Sequence, residues 1–247
     1  MWEPPRKDGP AVSVDGICKT YGKVKALEKV DLRVERGEMF GLIGPNGAGK
    51  STLMRSLIGT VKPECGKVKV LGMDPVKEDL RIKSFTGYVP ESETPPSFLK
   101  LDEFLDFVMD TRGRKADDKG KKHWVEFFDL EGHRQTIAKD MSKGTRQKLM
   151  LSSAFIHQPP LMLLDEPFIN LDPIYQRKVK DYLLEYVNGG GTVLLSTHIL
   201  SLAEELCGRV AIIHKGRVLF TDSSINIIEE HGSLEKAFLD GVGYYSM

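Results

Sequence analysis

Nowhere does the sequence approach the run of about eighteen apolar residues that a membrane-crossing helix needs, so no helical span is expected and the chain should be soluble on its own. Charge of one sign is also lacking. Thirty-five basic residues balance thirty-five acidic ones, which leaves nothing in the net charge to call for a nucleic-acid partner. Cysteine is scarce: Cys18, Cys65 and Cys207 are far apart and form no CxxC pair. An odd, sparse set suits a reducing compartment, and ordinary reduced thiols are expected. Internal repeats and low-complexity tracts are missing, and five of the six histidines show no ligand spacing, so no zinc site is expected. Residues 1–10 lack the apolar core of a signal peptide, and their three prolines disfavour a helix, so residues 1–11 read as a loose tail.

The remaining residues are patterned. Val12 and Val14, then Val30, Leu32 and Val34, alternate with polar neighbours, the period of half-buried antiparallel strands. Residues 39–43, 161–164 and 192–195 are continuously apolar, as strands covered on both faces are, and strand-like and helix-like segments alternate between them. Residues 210–213 and 218–220 flank Gly216 as a hairpin would. Between them, from Ser92 to Ile156, the period becomes helical. Leu101, Phe104, Leu105 and Val108 share one helix face, and Trp124, Phe127 and Phe128 another, after a solvated basic stretch from Lys119 to Lys122. A short helical tail with Leu234, Ala237 and Phe238 on one side follows Ser223.

Three stretches carry chemistry. Gly44-Pro45-Asn46-Gly47-Ala48-Gly49-Lys50-Ser51-Thr52 matches G-x-x-x-x-G-K-[ST] and lies between a buried strand and a helix bearing Leu53, Leu57 and Ile58. Glycines there let successive N–H groups turn toward phosphate oxygens, while Lys50 would neutralise the β- and γ-phosphates and Ser51 would offer its hydroxyl to Mg²⁺. Asp165 and Glu166 end a central strand, where ligands bind in parallel sheets. Asp165 would hold Mg²⁺ through water, and Glu166 would polarise the water that attacks the γ-phosphate. His198 closes the 192–195 run and is placed to donate to that phosphate.

Together these residues resemble the ATPase subunits of ABC transporters. The segment Met141-Ser142-Lys143-Gly144-Thr145-Arg146-Gln147 looks like that family's signature, matching at Ser142 and Gly144 and departing at Lys143 and Thr145, in the manner of the drug- and polysaccharide-exporting branch. The resemblance covers residues 12–239. It implies an α/β P-loop core (12–91 and 157–222) with an antiparallel N-terminal β-subdomain, an inserted helical subdomain (92–156) and a C-terminal helical tail (223–247). It implies ATP and Mg²⁺ as ligands. Tyr21 resembles the adenine-stacking aromatic, His198 the switch histidine, and Asn170-Leu171-Asp172 the loop that crosses a dimer interface. Ser142 and Gly144 would complete the ATP site of a second ATPase subunit, identical or different, bound head to tail. The other partner implied is an integral membrane subunit, with the ATPase lying in the cytoplasm on the inner face of the membrane. At Tyr88-Val89-Pro90-Glu91 the family has glutamine where this chain has Glu91, so a carboxylate joins Ser51 and Asp165 as a candidate metal ligand. The expected function is ATP hydrolysis driving transport, in the export direction. A soluble relative acting on ribosomes or DNA is the alternative.

Overall fold

In a computed structural model, which describes residues 5, 8–92, 95–114 and 118–242, two sheets organise the chain. Most of the N-terminal tail and residues 243–247 of the C-terminal tail lie outside the described residues. The first sheet is antiparallel, with β1 (Val12–Tyr21) between β2 (Val24–Val34) and β4 (Cys65–Val70). Its register sets Val12 opposite Val34, Val14 opposite Leu32 and Ile17 opposite Val30, so the alternating valines share one buried face.

The second sheet runs in the order β5 (Thr86–Val89), β6 (Leu161–Asp165), β7 (Thr192–Thr197), β3 (Met39–Ile43), β8 (Arg209–His214) and β9 (Arg217–Ser223). Its first five strands are parallel, and β9 returns antiparallel to β8. The continuous apolar runs find their reason in two cores. Phe40, Leu42, Leu161, Leu163 and Leu194 face the antiparallel sheet and α1 (Lys50–Leu57). Their strand neighbours Met39, Ile43, Met162, Leu164, Val193 and Leu195 face the helices on the other side.

Those helices include α3 (Leu101–Asp110), α4 (Asp118–Phe127) and α5 (Lys143–Phe155); the short α2 (Asp79–Ser84) precedes β5. The helical insertion is not a separate layer, because Leu149 and Phe155 of α5 join the same core as Leu164 and Leu195. One expectation needs correcting: the Lys119–Lys122 stretch is helical rather than wholly solvated. Lys121 is buried and pairs with Asp106 at 2.5 Å, since its place on α4 faces α3. A second correction concerns the thiols. Cys18 and Cys65, 47 residues apart, are joined as a disulfide because β1 and β4 pair them directly.

After β6 come α6 (Pro173–Asn188), capped by Asp172 with proline in its first turn, and α7 (Leu200–Leu206). The C-terminal tail forms α8 (Ser224–His231) and α9 (Leu234–Gly241), which bury Ile227, Leu234 and Ala237. The turn between β8 and β9 braces the site region: Gly216 donates to Ala48 O at 2.9 Å and accepts from Glu28 N at 2.7 Å. Among the described residues no helix is long and apolar enough to cross a membrane.

Candidate active site

The strand β3 ends at Ile43, and residues 44–49 curl before α1 begins at Lys50. No side chain caps this helix, and its N-cap Gly49 takes φ +112°, where a Cβ would strike the Ala26 carbonyl. The free N–H groups and positive end of the helix dipole therefore face outward over the loop. Lys50 is buried and donates to Gly44 O at 2.7 Å and Pro45 O at 3.3 Å, which holds its ammonium inside the curl. Around this loop lies a cavity of about 230 Å³, lined by Pro45 through Thr52 and by Val24, Ala26, Arg55 and Glu91. Val24 and Ala26 escaped the sequence reading. They sit two apart on β2, a weak signal that nothing local connects to residue 49. Arg55 also escaped it; on α1 it donates to Ser51 O at 3.0 Å.

At the same sheet edge β6 ends in Asp165, followed by Glu166. Glu166 adopts φ +51°, a left-handed conformation unfavourable for a residue with a Cβ, and its N–H is held by Ser196 O at 3.1 Å. Asp165 is paired in register with Ser196, whose hydroxyl donates to its Oδ1; among the described residues its buried Oδ2 has no hydrogen-bond partner. Burial pushes the Asp165 carboxyl above the usual carboxylate range. Hydroxyls of Ser196 and Ser51 oppose that shift, and the charges of Glu91 and Glu166 add to it. Burial, with the Asp165 charge second, also lifts the Tyr88 hydroxyl to about 12. Ser51 Oγ donates to Glu91 Oε2 at 3.1 Å. Glu166, 4 % exposed, lies 3.4 Å from Lys50 Nζ and 2.8 Å from His198 Nδ1. The fold thus gathers Lys50, Ser51, Glu91, Asp165, Glu166 and His198 from four segments. An orphaned carboxylate oxygen near a serine hydroxyl and a second carboxylate fits a hard cation that keeps several waters. The ammonium and the free helix N-terminus fit phosphate.

Three expected residues lie elsewhere. Ser142 caps α5, its Oγ accepting from Thr145 N at 3.1 Å and bonding Thr145 Oγ1 at 2.9 Å. Gly144 packs under the loop after Glu166: an added Cβ would sit 2.9 Å from Asn170 O. Buried Gln147 donates to Pro167 O at 2.7 Å. Ser142 and Gly144 do not line the phosphate-loop cavity of their own chain, and neither does Tyr21, 45 % exposed at the end of β1.

Comparison with known proteins decides the family. The sequence profile described as ABC transporter matches residues 27–169, more than half of the chain. The chain belongs to the ABC transporter family. It is 34 % identical to a daunorubicin resistance ATP-binding protein of Streptomyces coeruleorubidus, over 90 % of this chain and 71 % of that protein. It is likewise 34 % identical to Nod factor export ATP-binding protein I of Rhizobium etli, over 89 % and 70 % of the two chains. A solved ATP-binding subunit of an ABC transporter superposes with a TM-score of 0.86 at 31 % identity, covering 94 % of this chain and 99 % of the other.

The chain is therefore an ABC-family ATPase, and the expected α/β P-loop fold with its antiparallel sheet is the one observed. Within this ABC subunit Ser196 is the other group that sequence reasoning passed over. Its signal was position, a polar residue ending an apolar strand, but only the pairing of β6 with β7 sets it against Asp165.

Proposed function

We propose that this ABC ATPase powers export through a separate membrane subunit, working as one half of a head-to-tail ATPase pair. The observation that carries the reading is that Glu166 meets both Lys50 of the phosphate loop and His198, while Ser142 and Gly144 stand apart at the start of α5. Half a site on each of two surfaces is what a reciprocal dimer completes. The export direction is supported by the likeness to the Nod factor export protein.

In the resting chain Glu166 is engaged by Lys50 and His198. ATP phosphates entering the loop would draw the Lys50 ammonium toward themselves and leave the Glu166 carboxylate free to accept a proton. The attacking water then loses that proton to Glu166, bonds to the γ-phosphorus and displaces ADP at the bridging oxygen. His198 orients Glu166 through one ring nitrogen and leaves the other for the γ-phosphate. Ser51, Asp165 and Glu91 would hold Mg²⁺. When bound, that ion neutralises charge on the phosphate oxygens. Tyr21 would stack on adenine, and Ser142 and Gly144 would reach the partner's γ-phosphate. The loop at Asn170-Leu171-Asp172 would cross the interface.

The ATPase domain is assigned to residues 12–222, with the helical subdomain at 92–156. For the membrane partner a groove of about 550 Å³ between α2–β5 and α3–α5 is the fitting surface. Leu80, Tyr88, Phe104, Val108 and Met150 line it, and Pro90, beside Glu91, stands at its edge. A partner seated there would feel the metal site through Glu91, and it would hold the ATPase on the inner face of the membrane.

The test is Glu166→Gln. It is expected to stop phosphate release while ATP binding persists, and to trap the dimer with its membrane subunit for isolation and mass spectrometry. Phosphate release at the wild-type rate would remove Glu166 from the chemistry. Recovery of ribosomes in place of a membrane protein would remove transport.

A further inference from the structure

Cys18 on β1 and Cys65 on β4 are cross-strand partners with Cα atoms 5.1 Å apart, within the span of a disulfide, and their sulfurs are joined. A local irregularity brings them opposite one another. The register shifts between Asp15 and Cys18, and Gly66 takes φ +80° where any Cβ would strike Asp15 O. Cys65 is exposed and Cys18 half-buried, so solution thiols can reach the pair. Cys207 is different in kind: it is buried, and burial lifts its thiol to about 12.

The surroundings tie this pair to the end of β1. Glu64, next to Cys65, donates its N–H to Cys18 O at 2.8 Å. Its carboxylate accepts from Thr20 N at 3.2 Å and lies 3.7 Å from Lys19 Nζ. Lys19 Nζ in turn sits 5.5 Å from the centre of the Tyr21 ring. Exposed Tyr21 ends β1, whose last residues pair with β2 on one side (Thr20 with Lys25, Tyr21 with Val24) and meet Glu64, beside the sulfur bridge, on the other.

We propose that Cys18 and Cys65 form a reversible dithiol–disulfide switch whose oxidised form fixes the end of β1, and with it Tyr21, for nucleotide binding. The effect on ATP rests on the adenine-stacking reading of Tyr21; the switch itself does not. In reduction, a low-molecular-weight thiolate such as glutathione attacks Cys65 Sγ. The Cys18–Cys65 bond breaks, a mixed disulfide forms on Cys65, and Cys18 leaves as thiolate and takes a proton. A second glutathione attacks the mixed disulfide and releases the Cys65 thiol. Two thiols have then become one glutathione disulfide, and the protein has gained two hydrogens. Oxidation by glutathione disulfide is the reverse. The β1–β4 ladder from Val12–Val70 to Asp15–Lys67 does not depend on the sulfurs, and the reduced Cys65 thiol has Gly16 O 3.2 Å away as an acceptor. What is lost is the covalent restraint on a 47-residue separation.

The experiment equilibrates the purified full chain in glutathione buffers of stepped reduced-to-oxidised ratio. Non-reducing peptide mapping by mass spectrometry reads the link, and calorimetric titration with ATP and Mg²⁺ reads affinity in the same samples. The link is expected to form with loss of two hydrogens. ATP should bind more tightly in the oxidised samples by roughly five- to thirtyfold, the equivalent of ordering about one residue of backbone. Cys65→Ser should hold affinity at the reduced value at every ratio. A link that never forms overturns the switch, and a link that leaves ATP affinity unchanged overturns its coupling to nucleotide binding. Tyr21→Ala separates the two ideas. If its affinity still follows the redox ratio, the switch stands and the adenine reading falls; if its affinity is low at every ratio, both stand.

Discussion

Glu91 stands where the family resemblance leads one to expect glutamine, and its surroundings bear on what a carboxylate does there. It accepts from Ser51, and its charge helps to raise the Asp165 carboxyl. Two carboxylates sharing a small region repel until a cation arrives, so the gain on metal binding is larger than with a neutral amide. Glu91→Gln is expected to raise the Mg²⁺ concentration for half-maximal turnover by roughly three- to tenfold, the scale of one lost charge interaction near a protein surface. An unchanged Mg²⁺ titration and unchanged turnover would refute the role. His157 gives a second prediction at this scale. It is fully buried, and burial, helped by the charges of Arg112 and Arg114, depresses its imidazole to about 3. Backbone groups of Thr86 and Ser153 help it only weakly, and neither ring nitrogen makes a full hydrogen bond. As pH falls below about 6.5, the unfolded chain binds a proton that the folded chain refuses. Stability is therefore lost from about 6.5 downward, by about 2 kcal/mol at pH 5. Urea unfolding of wild type and His157→Met at pH 7 and 5 should show the steeper loss in wild type; parallel profiles would rule it out.

Among the elements, α5 packs closely on the loop that follows Glu166. Its N-cap Ser142 is exposed, its first turn presses Gly144 on the Asn170 carbonyl, and Gln147 binds the Pro167 carbonyl inside. Pro167 and Asn170 follow Glu166 directly, and Asn170 holds φ +63°. The helix proposed to meet a partner's nucleotide is thus seated on the loop that follows Glu166, the carboxylate proposed for catalysis. Gly144→Val should push that loop, lowering stability by about 1–3 kcal/mol, the usual range for overpacking. ATP turnover should fall further than the melting shift explains. Thermal melting beside phosphate release reads both, and a melting loss with normal turnover would confine Gly144 to packing.

For the whole molecule the proposed head-to-tail pairing has one chain supply half of each site. Turnover of the isolated subunit should rise with the square of its concentration when dilute. The Glu166→Gln form should sediment as a monomer alone and as a dimer with ATP and Mg²⁺, because a ligand that binds between two copies stabilises their association. First-order turnover at every dilution, together with a sedimenting monomer in ATP, would show that one chain suffices.

The sequence by itself determined what depends on neighbours along the chain. The phosphate loop needs glycines, a lysine and a helix start within nine residues, and strand and helix periods declare which side is buried. Fold class, Lys50, Asp165 and Glu166 were legible for that reason. Tertiary structure decided whatever depends on register between distant segments. Ser196 meets Asp165 only because β6 pairs with β7, Val24 and Ala26 reach the loop across two sheets, and Lys121 is buried only because α4 lies on α3. Cys18 finds Cys65 in the same way, across a strand pairing that spacing along the chain does not reveal. Sequence separation carries no distance once a chain folds back, so these contacts were beyond any reading of periods and motifs.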